Sequence, residues 1–167
     1  RLFEKDVDEK IIPTNTNTNI LIFQYLYANK LHLHFLEASF AKGEYLVDII
    51  NQKIEIYKNR LDNHYVVMLY YKIACLYFGM GKNELCIAYL QKIIKSKNLG
   101  SAEDLQCFAR VLNLIAHYEC GLDYDLERQF LDTYKFLLKM QNLQKVQRVF
   151  LTSIKDLSDV YPHEIKN

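Results

Sequence analysis

Hydrophobic residues recur at steps of three and four along most of this chain of 167 residues, which is the spacing of one face of an α-helix. The first run follows Asn19, a residue type that commonly caps a helix, and continues to Gly43. Its apolar positions are Ile20, Phe23, Tyr27, Leu31 and Phe35. Similar runs follow almost to the end of the chain, so the pattern predicts an all-α fold.

Three glycines divide these runs into pairs. Gly43, Gly81 and Gly121 each stand at the end of the first run of a pair, and they are 38 and 40 residues apart. A period of this length is typical of stacked helix pairs, each of which buries too little surface alone. We therefore predict a right-handed stack of three antiparallel helix hairpins closed by a C-terminal capping helix, with these elements at about 20–61, 63–97, 101–140 and 142–161.

The first 19 residues differ in character from the rest. Residues 1–12 mix charges with the apolar residues Leu2, Phe3, Val7, Ile11 and Ile12, and we interpret them as the end of a preceding helix. The proline and short polar residues of 13–19 predict a connector, because such residues favour turns. The predicted helical-repeat domain is therefore 20–167. Since the chain begins with arginine, we expect it to be one end of a larger helical-repeat protein.

The second pair carries the most informative spacing. Residues 70–81, followed by 86–90, resemble a tetratricopeptide (TPR) repeat. The positions that carry the resemblance are Tyr70, Ile73, Ala74 and Tyr77 in the first helix and Cys86 and Leu90 in the second. Asn98 departs from the family's usual proline, and the periods exceed its usual length of about 34 residues. The segment 107–119 is also similar to uncharacterised bacterial TPR-like proteins.

The resemblance implies a protein-binding scaffold whose concave groove is lined by the first helix of each pair. By spacing, the groove positions are Met68, Tyr71, Cys75 and Phe78 in the second pair, Phe108, Val111, Ile115 and Tyr118 in the third, and Lys30, Leu33, Glu37 and Phe40 in the first. Such an aromatic groove suits an amphipathic helix or an extended apolar peptide. The alternative is that these residues only pack against flanking helices.

Charge and composition argue against other partners. Lysine and arginine number 21 against 20 acidic residues, so the net charge of +1 attracts neither nucleic acid nor an anionic membrane. The sequence has neither a run of about 18 apolar residues nor a secretory signal, so we expect a cytoplasmic protein without a membrane partner. The strongest case for nucleic acid is the last helix, with Lys145, Arg148 and Lys155, but Asp156 and Asp159 interrupt it.

We find no pattern of catalytic or metal-binding residues. Phosphate-binding loops, zinc motifs and nucleophile elbows are absent from the sequence. His117 and Cys120 are three residues apart, but two ligands do not complete a metal site. The four cysteines lack the Cys-x-x-Cys spacing, which favours reduced, mostly buried thiols. We therefore expect no enzyme activity, no metal and no cofactor.

These observations favour a non-enzymatic scaffold that binds a protein or peptide. The first alternative is a structural or regulatory segment that associates with its own chain or with a copy of itself. The second alternative is nucleic-acid binding through the last helix.

Overall fold

The computed structural model describes residues 16–96, 103–121 and 123–139, and all regular structure within these ranges is helical. The elements are α1 (Thr16–Leu36), a short 3-10 helix (Phe40–Gly43), α2 (Tyr45–Tyr57), α3 (Asn63–Gly79), α4 (Asn83–Ile94), α5 (Glu103–Glu119) and α6 (Asp123–Lys139). The prediction of an all-α fold is confirmed for this part of the chain. The predicted last helix at 142–161 and the predicted helix end at 1–12 lie outside the described residues.

The helices pack as neighbouring pairs. Within the described residues α3 contacts α4, α4 contacts α5 and α5 contacts α6, while α1 contacts both α2 and α3. The first helices of the pairs also contact one another directly, α1 with α3 and α3 with α5. Turns of three residues join α3 to α4 and α5 to α6, a length that returns the chain antiparallel to itself.

Burial repeats with the helix pairs. Each of the six buried positions of α3 has a buried counterpart exactly 40 residues later in α5. The α3 residues are Val67, Leu69, Ile73, Ala74, Leu76 and Tyr77, and the α5 residues are Cys107, Ala109, Asn113, Leu114, Ala116 and His117. The second and third pairs therefore use the same packing register.

The first pair follows this register with a longer offset. The buried residues of α4 correspond to buried residues 43 positions earlier, in the 3-10 helix and α2. The correspondence pairs Cys86, Tyr89, Leu90 and Ile93 with Gly43, Leu46, Val47 and Ile50. The packing offset is thus 43 residues, whereas the glycines of the sequence indicated 38.

The cause of this difference is the end of α1. We predicted that the helix runs from Asn19 to Gly43, but it begins at Thr16 and ends at Leu36. Ala38 adopts a left-handed φ of 50°, the Ser39 amide donates to the His34 carbonyl, and the Ala38 amide donates to Phe35. This is the Schellman arrangement that ends many helices, with alanine in the place that glycine usually takes. Residues 16–19, which we predicted to be part of the connector, form the first turn of α1. Short polar side chains are favourable at the start of a helix as well as in turns.

Gly43 has a different role from the one we predicted. It does not end α1 but is the last residue of the 3-10 helix, and it is buried at the position equivalent to Cys86. A Cβ atom added there would lie 2.9 Å from His34 Cδ2 and 3.0 Å from Leu76 Cδ1. Gly43 therefore allows the segment between α1 and α2 to approach α1 and α3 closely.

Two substitutions test the role of the left-handed residues that follow α1 and α3. Gly81 ends α3 with the same hydrogen bonds and a φ of 70°, and a Cβ added there would meet no atom within 4 Å. We expect Ala38→Gly to raise the free energy of unfolding by about 1 kcal/mol and Gly81→Ala to lower it by about 1 kcal/mol, because only the left-handed strain changes. Urea unfolding followed by circular dichroism measures both. A change of the same sign in the free energy of unfolding of both variants would contradict this explanation.

A buried polar connection joins the last three described helices. The Gln91 side chain of α4 donates to the Asn113 carbonyl oxygen, and the Asn113 amide donates to Gln129 of α6, both at 3.3 Å. Gln106 donates to the Ile93 and Ser96 carbonyls at the end of α4. These bonds restrict how α4, α5 and α6 can slide past one another, because buried polar groups need their partners.

Candidate functional site

The candidate site is the groove face, which we define as Met68, Tyr71, Cys75 and Phe78 of α3 with Phe108, Val111, Ile115 and Tyr118 of α5. Each α5 member stands 40 residues after its α3 counterpart, so the two sets occupy equivalent positions in the packing register. None of the eight is fully buried, although both helices have six buried positions. The two helices that carry these residues are in contact with each other.

The α3 part of the groove face is half covered. Met68, Tyr71 and Phe78 pack against the main core, and Cys75 is also only half exposed. Burial raises the pKa of Tyr71, and the adjacent Cys75 thiol, which the phenol contacts by a hydrogen bond, raises it further. Tyr71 is therefore a neutral hydrogen-bonding phenol at physiological pH, anchored at its hydroxyl and presenting part of its ring.

The α5 part is more open. Phe108 is 49% exposed, the largest exposed aromatic side chain of this helix. Val111 packs beside Cys107 and Leu137, so it also contributes to the contact between α5 and α6. Ile115 and Tyr118 are half-buried. The groove face thus offers one exposed ring beside partly covered apolar side chains.

The four residues predicted for the first pair do not share one helix face. Lys30 lies over the Tyr27 ring, and Leu33 is exposed on α1. Glu37 lies beyond the end of α1, where it accepts a hydrogen bond from Ser39. Phe40 belongs to the 3-10 helix, so its membership of a groove remains a prediction, as does that of Lys30 and Glu37.

The packing register indicates other α1 residues for this face. Positions 43 residues before the α3 members are Tyr25, Ala28, His32 and Phe35. Tyr25 is exposed, and its phenol is close enough to Tyr65 of α3 to add to the burial that raises the pKa of Tyr65 to about 12. The sequence offered no signal for this shift, because alanine at position 38 does not mark a helix end.

Phe40, in the 3-10 helix, packs against both α3 and α1. Its ring lies against the backbone of Gly79, where a Cβ atom would be 2.6 Å from the ring, and its centroid is 6.2 Å from that of Phe35. Lys72 of α3 lies over the Phe35 ring at 5.8 Å. These contacts bring Phe40 and Phe35 to the α3 side of the first pair.

The thiols near this face are not activated. Burial raises the pKa of the Cys86 thiol to about 12, with further contributions from Cys75 and Cys120. Burial also raises the pKa values of Cys75 and Cys120. These thiols are protonated at neutral pH and are therefore poor nucleophiles. Among the described residues no group of three or more histidine, cysteine or acidic side chains is arranged to hold a metal ion.

Comparison with protein-family models, with curated proteins and with solved structures gives no match for this chain. Within the described ranges, every helix is too short or too polar to cross a membrane.

Proposed function

We propose that this chain is a non-enzymatic scaffold that binds a protein segment, either an amphipathic helix or an extended apolar peptide, on the groove face. The observation that carries the proposal is the repeated register of α3 and α5. The same four positions of both helices stay partly open, while the six buried positions of the two helices also repeat at the same offset of 40 residues. In a stack of helix pairs, such a recurring open face provides a continuous binding surface.

The chemistry of the face favours an apolar ligand. Four of its eight members are aromatic, namely Tyr71, Phe78, Phe108 and Tyr118. Aromatic rings bury a large area on binding and lose little side-chain entropy. Because Tyr71 and Phe78 are held by the core, their rings are in position before a ligand arrives, which lowers the entropic cost of binding.

The experiment uses Phe108, because its exposure makes it replaceable without loss of the fold. A displayed library of helical and extended peptides is selected against the wild-type chain, and the enriched peptides are titrated against variants. We expect Phe108→Asp to weaken binding at least about tenfold, since a buried contact at an interface centre is typically worth more than about 1 kcal/mol.

Leu131→Asp is the matched control, because Leu131 is 44% exposed but lies on α6 and is not a member of the groove face. Its binding should equal that of the wild type. Equal losses for the two variants, or no enriched peptide, would contradict the proposal. In that case one of the two alternatives becomes the better proposal. These are a segment that associates with its own chain or with a copy of itself, and a nucleic-acid binder.

A further inference from the structure

The ends of α1 and α3 support the register that places Tyr25, Ala28, His32 and Phe35 of α1 in line with the groove face. The Ala38 and Ser39 amides donate to the carbonyls of residues 35 and 34, and the Gly81 and Lys82 amides donate to the carbonyls of residues 78 and 77. All four positions are thus 43 residues apart. None of the four α1 residues is fully buried, and Tyr25 is 69% exposed.

Helices α3 and α5 turn the same edge towards the first helix of the preceding pair. In α3 this edge carries Tyr65, whose hydroxyl donates to a carbonyl of α1, and Lys72, whose ammonium lies 5.8 Å from the centroid of the Phe35 ring. The residues 40 positions later in α5, Leu105 and Leu112, pack against the main core, to which α3 contributes. Because this edge is equivalent in both helices, the groove positions of α1, α3 and α5 point to one side of the stack.

Charged side chains are distributed unequally over this side. The positions that border the groove face without being buried are 64, 72 and 79 in α3, with 21, 29 and 36 as equivalents in α1 and 104, 112 and 119 in α5. At the groove and border positions, α1 and α3 carry the basic residues His32, His64 and Lys72 and no carboxylate. At the same positions α5 carries the acidic residues Asp104 and Glu119 and no basic residue. The face is therefore basic over its first two helices and acidic over the third.

We propose that the groove face binds an amphipathic helix that carries acidic residues at the end over α1 and α3 and basic residues at the end over α5. This inference rests on the proposed function and names the class of its ligand. Opposite charges meet at both ends of the bound helix, which favours one orientation over the other. Acidic residues in the first turn and basic residues in the last turn also stabilise the ligand helix itself through its dipole.

Hydrogen bonding favours a helix over an extended peptide on this face. Its centre consists largely of side chains without a hydrogen-bonding group, such as Ala28, Met68 and Val111, and the Tyr71 hydroxyl already contacts the Cys75 thiol. An extended peptide has unpaired backbone N–H and C=O groups, which lose their water without replacement when they are buried on such a surface. A helix pairs these groups internally, so it avoids this cost.

The span of the three helices sets the length of the ligand. Neighbouring packed helices lie about 8–10 Å apart, so the distance from α1 to α5 is roughly 16–20 Å. A helix covers this distance with about 11–13 residues. The exposed rings of Tyr25 and Phe108 occupy equivalent positions at the two ends of the span, with Met68 between them. A ligand of about 14 residues therefore reaches both rings.

The test uses a displayed library of helical and extended peptides of about 14 residues, selected against the wild-type chain. We expect the enriched peptides to be helical, with acidic residues in one terminal turn and basic residues in the other. The most enriched of these is the dipolar peptide, and a copy with glutamine at each charged position is the neutral peptide. Fluorescence anisotropy measures the binding of both to charge-reversed variants of the chain.

Lys72→Glu and Asp104→Lys should each weaken binding of the dipolar peptide at least about threefold, because each places like charges together at one end. The variant with both substitutions should bind within about twofold of wild type, since the dipolar peptide can then bind in the opposite direction. The neutral peptide should not distinguish these variants. Lys95→Glu is the control, because Lys95 is exposed at the end of α4 and is not part of this face. Circular dichroism verifies the helix content of every variant.

Several results would overturn this inference and leave the proposed function intact. They are enriched peptides that depend on Phe108 but are extended or lack the charge pattern, additive losses in the variant with both substitutions, and equal losses for the neutral peptide. The absence of any enriched peptide would overturn the inference and the proposed function together.

Discussion

Leu76→Ala is expected to lower the free energy of unfolding by about 2–5 kcal/mol, the usual cost of removing a fully buried leucine side chain. Leu76 is completely buried in α3, and it is the point where the second pair meets the tight turn of the first. Urea unfolding followed by circular dichroism measures the loss. A loss below about 1 kcal/mol would mean that this contact does not hold the pairs together.

The same contact predicts non-additivity with Gly43. Gly43→Ala alone should cost about 1–3 kcal/mol, because its new methyl group is too close to His34 and Leu76. In the double variant with Leu76→Ala, the methyl group has room, so the combined loss should be at least about 1 kcal/mol smaller than the sum. Leu137 in α6 is the control: Gly43→Ala and Leu137→Ala should be additive, because these sites belong to different helix pairs.

Asn113→Asp is expected to cost about 3–5 kcal/mol at neutral pH, since it leaves a buried charge without compensation. Asn113 is 1% exposed and both donates and accepts a hydrogen bond. An ionised aspartate still accepts from Gln91, but it cannot donate to Gln129 and meets that side chain's oxygen instead. The wild-type asparagine therefore connects three helices in a way that a carboxylate of the same shape cannot.

The pH dependence of this variant provides the sharper measurement. Burial raises the pKa of such a carboxyl above the value of about 3.9 that it has in the unfolded chain. The variant is therefore closest to wild type below about pH 4 and loses stability as the pH rises through the raised folded-state pKa. Unfolding curves at acidic and neutral pH compare it with wild type. Asn29→Asp, at an exposed position of α1, should show no comparable trend, and a pH-independent loss in Asn113→Asp would contradict the explanation.

Local patterns in the sequence were sufficient for the helices of the second and third pairs. We predicted the second pair at about 63–97, and α3 and α4 occupy Asn63–Gly79 and Asn83–Ile94. Of the four positions of the TPR resemblance in α3, Ile73, Ala74 and Tyr77 are buried, and Tyr70 is half-buried. These features follow from hydrophobic periodicity and from glycine at Gly81, and both act within a few residues along the chain.

The groove face is a mixed case. Its members in α3 and α5 follow from helical spacing, and the packing register relates them by the same 40 residues. Which of them are open depends on the neighbouring helices, since Val111 packs beside Leu137 of α6 while Phe108 remains half exposed. Spacing assigns residues to a face, whereas contacts between helices decide how much of that face is accessible.

The sequence by itself determined that this chain is helical, where its later helices lie and which face of each is apolar, because these properties depend on side chains one or two turns apart. Only the tertiary structure decided that α1 ends at Leu36 and is followed by a left-handed Ala38, that Gly43 is a packing residue and that the first pair is offset by 43 residues. Alanine in a left-handed conformation is unfavourable in isolation by about 1–2 kcal/mol, so such a turn persists only where packing on both sides compensates. The space around Gly43 agrees with such packing, because a Cβ atom added there would lie 2.9 Å from His34 and 3.0 Å from Leu76.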